Sequence, residues 1–193
     1  MDAFFAMLAE GFDLPILDWI QANLTNGFLD FIMPIITLLG DAGIFWIACS
    51  VVLMFFPQYR KAGLSMAVSL IIGLVVCNMT LKPLCHRIRP YDYQMEVFHR
   101  EIVLLIEAQH DFAFPSGHTI ASFEACTALM IHNKKLGVPA TILAILIAFS
   151  RLYLYVHYPT DVIASIILGI GIAYLGCWIV KKLGEKFPKL KLA

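Results

Sequence analysis

Charge is scarce in this chain. Only 15% of its residues are Asp, Glu, Lys or Arg, in equal numbers of each sign, so nothing in the overall balance pulls it toward nucleic acid. The five cysteines are odd in number and show no metal-ligand spacing, so Cys49, Cys77, Cys85, Cys126 and Cys177 read as small buried hydrophobes. There is no glycine-rich phosphate loop and no cluster of carboxylates to hold magnesium, so any phosphate chemistry must rely on side-chain cations and not on a metal or cofactor. No basic stretch precedes the first apolar residues, and a cleaved secretory signal is not expected. No internal repeat divides the chain, and its apolar segments lack the strict alternation of a membrane barrel.

What the chain has in abundance is apolar sequence. With 60% hydrophobic residues and a mean hydropathy of +0.80, it is expected to be an integral membrane protein. A lipid-exposed backbone must satisfy its own hydrogen bonds, so the fold class is all-α, a polytopic transmembrane helical bundle. The expected layout is one domain, 1–193. Residues 1–26 mix Phe4, Phe5, Leu8 and Phe12 with Glu10, Asp13 and Asp18 and predict an amphipathic helix at the membrane interface. Residues 27–81 hold three spans (27–39, 44–56 and 62–81), 82–116 form an outer loop, and 117–180 hold three more (117–131, 138–156 and 159–180). Residues 181–193 are a basic tail. Within the outer loop, apolar residues at helical intervals predict a short helix over 96–108.

The cations sort with these roughly six spans. Arg60, Lys61, Lys134, Lys135, Lys181, Lys182, Lys186, Lys189 and Lys191 fall at one end, which the positive-inside rule assigns to the cytoplasm. Lys82, Arg87, Arg89, Arg100 and Arg151 fall at the other. Ionisable residues at membrane depth are costly and mark functional sites. Three clusters meet this description at the outer end: Lys82 to Arg89-Pro90, Pro115-Ser116-Gly117-His118, and Ser150-Arg151 followed by His157 and Asp161. Pro159 suits the first residue of a helix, which places Asp161 in its first turn beside His157, an arrangement that orients an imidazole.

Lys82, six residues and Arg89-Pro90, then Pro115-Ser116-Gly117-His118, then Ser150-Arg151, five residues, His157, three residues and Asp161 together make a pattern. From Lys82 to Asp161 the chain resembles the type 2 phosphatidic acid phosphatases, a superfamily that also holds vanadium haloperoxidases, bacterial acid phosphatases and glucose-6-phosphatase. The resemblance implies a metal-independent phosphomonoester or diphosphate hydrolase in which His157 attacks phosphorus and forms a phosphohistidine. It implies that Asp161 holds His157 and that His118 protonates the leaving oxygen. It also implies that Lys82, Arg89 and Arg151, with the Ser116 hydroxyl and the Gly117 amide, cradle the phosphoryl oxygens.

Residue chemistry agrees with those roles. Phosphoryl transfer is mostly positioning plus stabilisation of charge on oxygens, and arginine forks with a lysine point charge supply both. Ser116 is suited to cap a helix opening at Gly117, whose free amides favour an anion. His157 is pulled toward the imidazolium by Asp161 and toward the neutral ring by the cations, and the cations are expected to prevail in the empty site. Arg87 lies in the variable interval of the first motif and is read as a rim or lipid-headgroup contact. Asp41 is read as a turn residue, and Tyr153 and Tyr155 as interface aromatics.

The partners this predicts are membrane lipids and a lipid phosphate entering from the bilayer. Undecaprenyl diphosphate is the leading expectation, with phosphatidylglycerol phosphate or phosphatidic acid as the alternative. A phosphatase for a soluble sugar phosphate and a non-catalytic lipid-binding or flipping protein are the rival readings. Phosphate release that disappears in His157→Ala separates an enzyme from a binder.

Overall fold

The computed structural model describes residues 3–187, and these are helical with irregular connections and no strand among them. Helix α1 (Ala3–Leu8) passes through a π turn at Ala9–Asp13 into α2 (Leu14–Leu24). Asn26 then caps α3 (Gly27–Leu38) by accepting from the Leu29 amide at 3.0 Å. A short turn, Asp41–Gly43, leads into α4 (Ile44–Phe55). Helix α5 (Arg60–Leu74) continues as a π-helical segment, Val75–Leu81, into α6 (Lys82–Cys85), which ends where His86 turns left-handed. Pro90 opens α7 (Pro90–Phe98), again closed by a left-handed residue, His99. The bundle is completed by α8 (Gly117–His132), α9 (Lys134–Tyr153) and α10 (Pro159–Lys186).

Three helical stretches are long and apolar enough to cross a membrane: Pro57–Phe98, Lys134–Tyr153 and Pro159–Lys186. The count rises to four if α3 and the Asp41–Phe55 stretch, bent by 42° at their break, form one span. That leaves one broken span or a re-entrant pair where two separate spans were expected at 27–39 and 44–56. Asp30 accepts from the Tyr153 hydroxyl, Thr37 meets Arg151 and Asp41 meets His118, so these contacts of α3 and the turn after it are made at the outer end of the bundle. Six separate spans are therefore more than these lengths support. The short outer helix also starts earlier than 96–108 because Pro90 supplies a helix start. Residues 100–116 are irregular, and Ile102, Leu104 and Ile106 pack on the core without forming a helix.

Helix α8 is the centre of the bundle, wrapped by α5, α9 and α10. Its buried face carries Ile120, Phe123, Ala125, Ala128 and Leu129, and its small residues let neighbours approach closely. A second core lies at the site end. There Leu14, Leu17 and Ile20 from α2 pack with Tyr91, Tyr93, Tyr153, Leu154, Tyr155 and Tyr158. Tyr153 and Tyr155 are thus buried and not interface aromatics, and their hydroxyls donate to Asp30 and Asp18. The N-terminal helices cover the end of the bundle that holds the outer clusters. At the opposite end His132 meets the Ser65 hydroxyl at 2.8 Å, bringing the C-terminus of α8 next to α5. The basic-tail residues Lys189 and Lys191 lie outside the described residues.

Candidate active site

The three sequence clusters converge at one mouth. Lys82 begins α6, and Arg89 is the residue before α7, where Pro90 holds it extended. Ser116 caps α8: its hydroxyl oxygen accepts from the Thr119 amide at 3.4 Å and from the Thr119 hydroxyl at 3.0 Å, which leaves the Gly117 amide at the open helix start. Arg151 lies in the last turn of α9, and His157 sits in the tight connection to α10. Lys82, Arg89, Gly117, His118 and His157 all line one cavity of about 680 Å³.

His157 is almost fully buried, at 1% exposure. One Arg89 terminal nitrogen lies 2.9 Å from its Nε2 and also donates to the Val156 carbonyl at 2.7 Å. A guanidinium has no acceptor, so Nε2 must be the unprotonated nitrogen and Nδ1 carries the proton. Nδ1 faces Asp161, but at 3.6 Å the contact is too long for a hydrogen bond. Burial, followed by the charges of Arg89, Arg151, Lys82 and His118, pushes the His157 pKa well below the usual imidazole range. The ring is a neutral base whose Nε2 lone pair accepts from Arg89.

Asp161 is held from the other side. Its Oδ2 accepts from the Tyr158 amide at 3.0 Å, and its Oδ1 accepts from Arg87 at 2.5 Å. Arg87 corrects the sequence reading, because it is fully buried and not a rim contact. It also donates to Asp13 at 2.6 Å and to the Thr160 hydroxyl at 2.8 Å, with its guanidinium 3.8 Å from the Tyr158 ring centroid. Asp13 accepts in turn from the Thr160 amide at 2.8 Å. The π turn of the N-terminal helix is thereby tied to the first turn of α10. Sequence reasoning missed Asp13 because it looked like the polar face of an amphipathic helix.

His118 Nε2 donates to Asp41 at 2.6 Å, so Asp41 also corrects the sequence reading: besides making its turn, it orients an imidazole. Gly40 makes this approach possible, since a Cβ there would stand 2.6 Å from the His118 ring.

Asp111 is the other residue missed. Its carboxylate meets both Lys82 and Arg89, and its carbonyl accepts from Arg89 Nε at 2.9 Å. Burial opposes its ionisation, but Lys82 and Arg89 outweigh that and hold its pKa below the ordinary value. Arg151, buried at 1% exposure, spends one nitrogen on Thr37 at 2.5 Å and leaves Nε and its other terminal nitrogen without partners among the described residues. Arg151 does not line the cavity, but it acts electrostatically on Arg89, and orphaned guanidinium donors with a pair of cations already holding a carboxylate are suited to a tetrahedral oxyanion. Asp111 would compete with such an anion. Asp111→Asn is expected to tighten inorganic phosphate binding roughly fivefold, about 1 kcal/mol for a half-exposed ion pair, as measured by calorimetric titration. Unchanged or weaker affinity would show that Asp111 does not compete.

Comparison with known proteins agrees with this geometry. The PAP2 superfamily model matches residues 58–185, which include all three motifs. The chain is 33% identical over 150 residues to "Undecaprenyl-diphosphatase BcrC" of Bacillus subtilis, covering 78% of this chain and 74% of that one. It is also 33% identical over 135 residues to "Undecaprenyl-diphosphatase" of Sulfolobus acidocaldarius, spanning 69% of this chain and 63% of that relative's length. Among solved structures, a PAP2 type phosphatidylglycerolphosphate phosphatase from Bacillus subtilis superposes with a TM-score of 0.66 at 27% identity, covering 95% of this chain and 93% of that one. The chain belongs to the PAP2 superfamily, whose phosphatases are hydrolases of phosphate esters.

Proposed function

We propose that this protein is a membrane lipid phosphatase that removes a terminal phosphate from a lipid phosphate or diphosphate through a phosphohistidine on His157. The observation that carries the proposal is a neutral His157 whose Nε2 faces Arg89, within electrostatic reach of an Arg151 guanidinium that has two unpaired donors. A phosphoryl group bound by Lys82, Arg89, Arg151, the Gly117 amide and the free proton of the Ser116 hydroxyl would draw Arg89 away from Nε2 and expose the lone pair for in-line attack. Phosphorus bonds to Nε2 as its bond to the leaving oxygen breaks, and His118, protonated on both nitrogens once the anionic substrate is bound, gives that oxygen the Nδ1 proton while Nε2 stays on Asp41. Water then attacks phosphorus, the bond to Nε2 breaks to release phosphate, and His118 Nδ1 takes the proton from the water. The charge of Asp161, 3.6 Å from Nδ1, supports the positive ring that forms.

The polyprenyl diphosphate reading is supported by the names of the two curated relatives. The glycerolipid reading is supported by the solved phosphatidylglycerolphosphate phosphatase, which this chain matches along nearly its whole length. The sorting of cations supports a site on the extracytoplasmic face of a bacterial cytoplasmic membrane, with the whole chain acting as one domain.

Detergent-solubilised protein is expected to release phosphate from a lipid phosphate in the presence of EDTA and to be inhibited by vanadate, which mimics the five-coordinate phosphoryl group. Loss of activity in EDTA that returns with magnesium would refute the cation-only mechanism.

A further inference from the structure

The cavity that opens at His157 does not end there. It continues between α4, α5 and α8 past Ile120, Ala121 and Leu70, and Glu124 lines its lower part. Glu124 follows Gly117 by seven residues, two turns along the same face of α8 and about 10 Å below the phosphate cradle. Its side chain leans back toward the helix start, as helical side chains do. The residue is 1% exposed, and its Oε1 has no hydrogen-bond partner among the described residues. Across from it α5 carries Gly73, where any Cβ would overlap the Glu124 carboxyl. The neighbouring helix is thus cut away to seat an acid that neither the phosphoryl chemistry nor the packing requires. Farther out, Ile47, Val51, Ile71 and Leu74 line the same cavity and are exposed where the bilayer would lie, which gives a lipid tail a lateral way in.

We propose that Glu124 and the notch at Gly73 form a second substrate subsite, one that reads the linkage between phosphate and chains and takes the ester carbonyl of an acyl-linked lipid phosphate. This rests on the lipid phosphatase reading and deepens it. A lipid whose phosphate occupies the cradle and whose chains leave between α4 and α5 brings its linkage atoms, a few bonds below phosphorus, to the level of Glu124. A carboxylic acid there would donate one hydrogen bond to an ester carbonyl. A polyprenyl chain or an ether-linked lipid offers no partner at that depth and leaves the carboxyl unsatisfied, which disfavours it by roughly tenfold or more.

The experiment compares kcat/KM for diacyl phosphatidic acid, its dialkyl ether analogue of equal chain length, a polyprenyl diphosphate and water-soluble p-nitrophenyl phosphate, using full-length protein in detergent. The wild type is expected to prefer the ester over the ether by about tenfold. Glu124→Gln, which keeps a donor, should retain that preference. Glu124→Met should lose it while melting in detergent at the wild-type temperature, which shows that the fold is intact. Equal wild-type rates on ester and ether, or a preference that survives in Glu124→Met, would overturn the subsite and leave the phosphatase reading standing. No release from any substrate, the soluble one included, would overturn both. Because the wild-type ester-to-ether ratio needs no substitution, the proposal stays testable even if Glu124→Met fails to fold.

Discussion

Turnover is expected to fall by about 10⁴-fold or more in His157→Ala, the scale seen when a covalent nucleophile is removed from an otherwise intact site. The argument rests on the two ring nitrogens having different jobs. Nε2 is the nitrogen Arg89 contacts, so its lone pair points into the cradle, and Nδ1 points at Asp161. Burial and then the charge of Arg89 disfavour the imidazolium, so the ring is neutral at ordinary pH. A lowered histidine pKa means that the nucleophile is lost only on acidification through that lowered value. The acidic limb of kcat/KM assigned to His157 therefore lies well below pH 6.5. Rapid quenching of wild-type protein with a radiolabelled lipid phosphate should trap acid-labile, base-stable phosphoprotein, and His157→Ala should trap none. Equal labelling of the two proteins would eliminate His157 as the phosphoryl acceptor.

The parts of this site that were legible in sequence are those whose neighbours are fixed by short spacing along one helix start or one turn. Ser116 caps α8 and Asp161 sits in the first turn of α10 because proline, serine and carboxylate have strong local preferences at helix starts. The all-helical class followed from hydropathy together with the lack of strand alternation. What sequence did not reveal are long-range pairings between apparently ordinary polar residues. Asp13 and Asp41 each had an adequate local explanation, as a polar helix face and a turn, Asp111 lay unremarked in the outer loop, and nothing local names a partner far along the chain. The count of six spans was not confirmed for a related reason. A Gly-Asp-Ala-Gly run reads as a reversal, but Ala42 and Gly43 have positive φ and the helices on either side are bent by only 42°. Glu124 was passed over because one acid within an apolar span carries no spacing signal, and only the missing side chain of Gly73 shows that room was made for it.

Arg87→Met is expected to be the most destabilising single change at the site end. Arg87 is fully buried between two carboxylates that are themselves fully buried, Asp13 at 2.6 Å and Asp161 at 2.5 Å. Removing the cation leaves both acids without their shared partner, and breaking a buried pair in this way costs about 3–5 kcal/mol. For a chain of this size that corresponds to a fall in melting temperature of about 10 °C, measurable by thermal unfolding in detergent. Asp13→Asn should cost less, because Arg87 keeps Asp161 and Thr160 still has an amide oxygen to bond. Arg87→Met combined with Asp13→Asn should recover part of the loss by removing one of the two stranded charges, a coupling that a double-mutant cycle reads directly. The same bond anchors Asp161 behind His157, so Arg87 is a positioning residue. In the surviving fraction of Arg87→Met, kcat should fall while KM stays near its wild-type value, since the phosphate cradle is untouched. A variant that melts and turns over like the wild type would show that Asp161 needs no support from Arg87. A lower melting point with unchanged kcat would confine Arg87 to holding the N-terminal helix on the bundle.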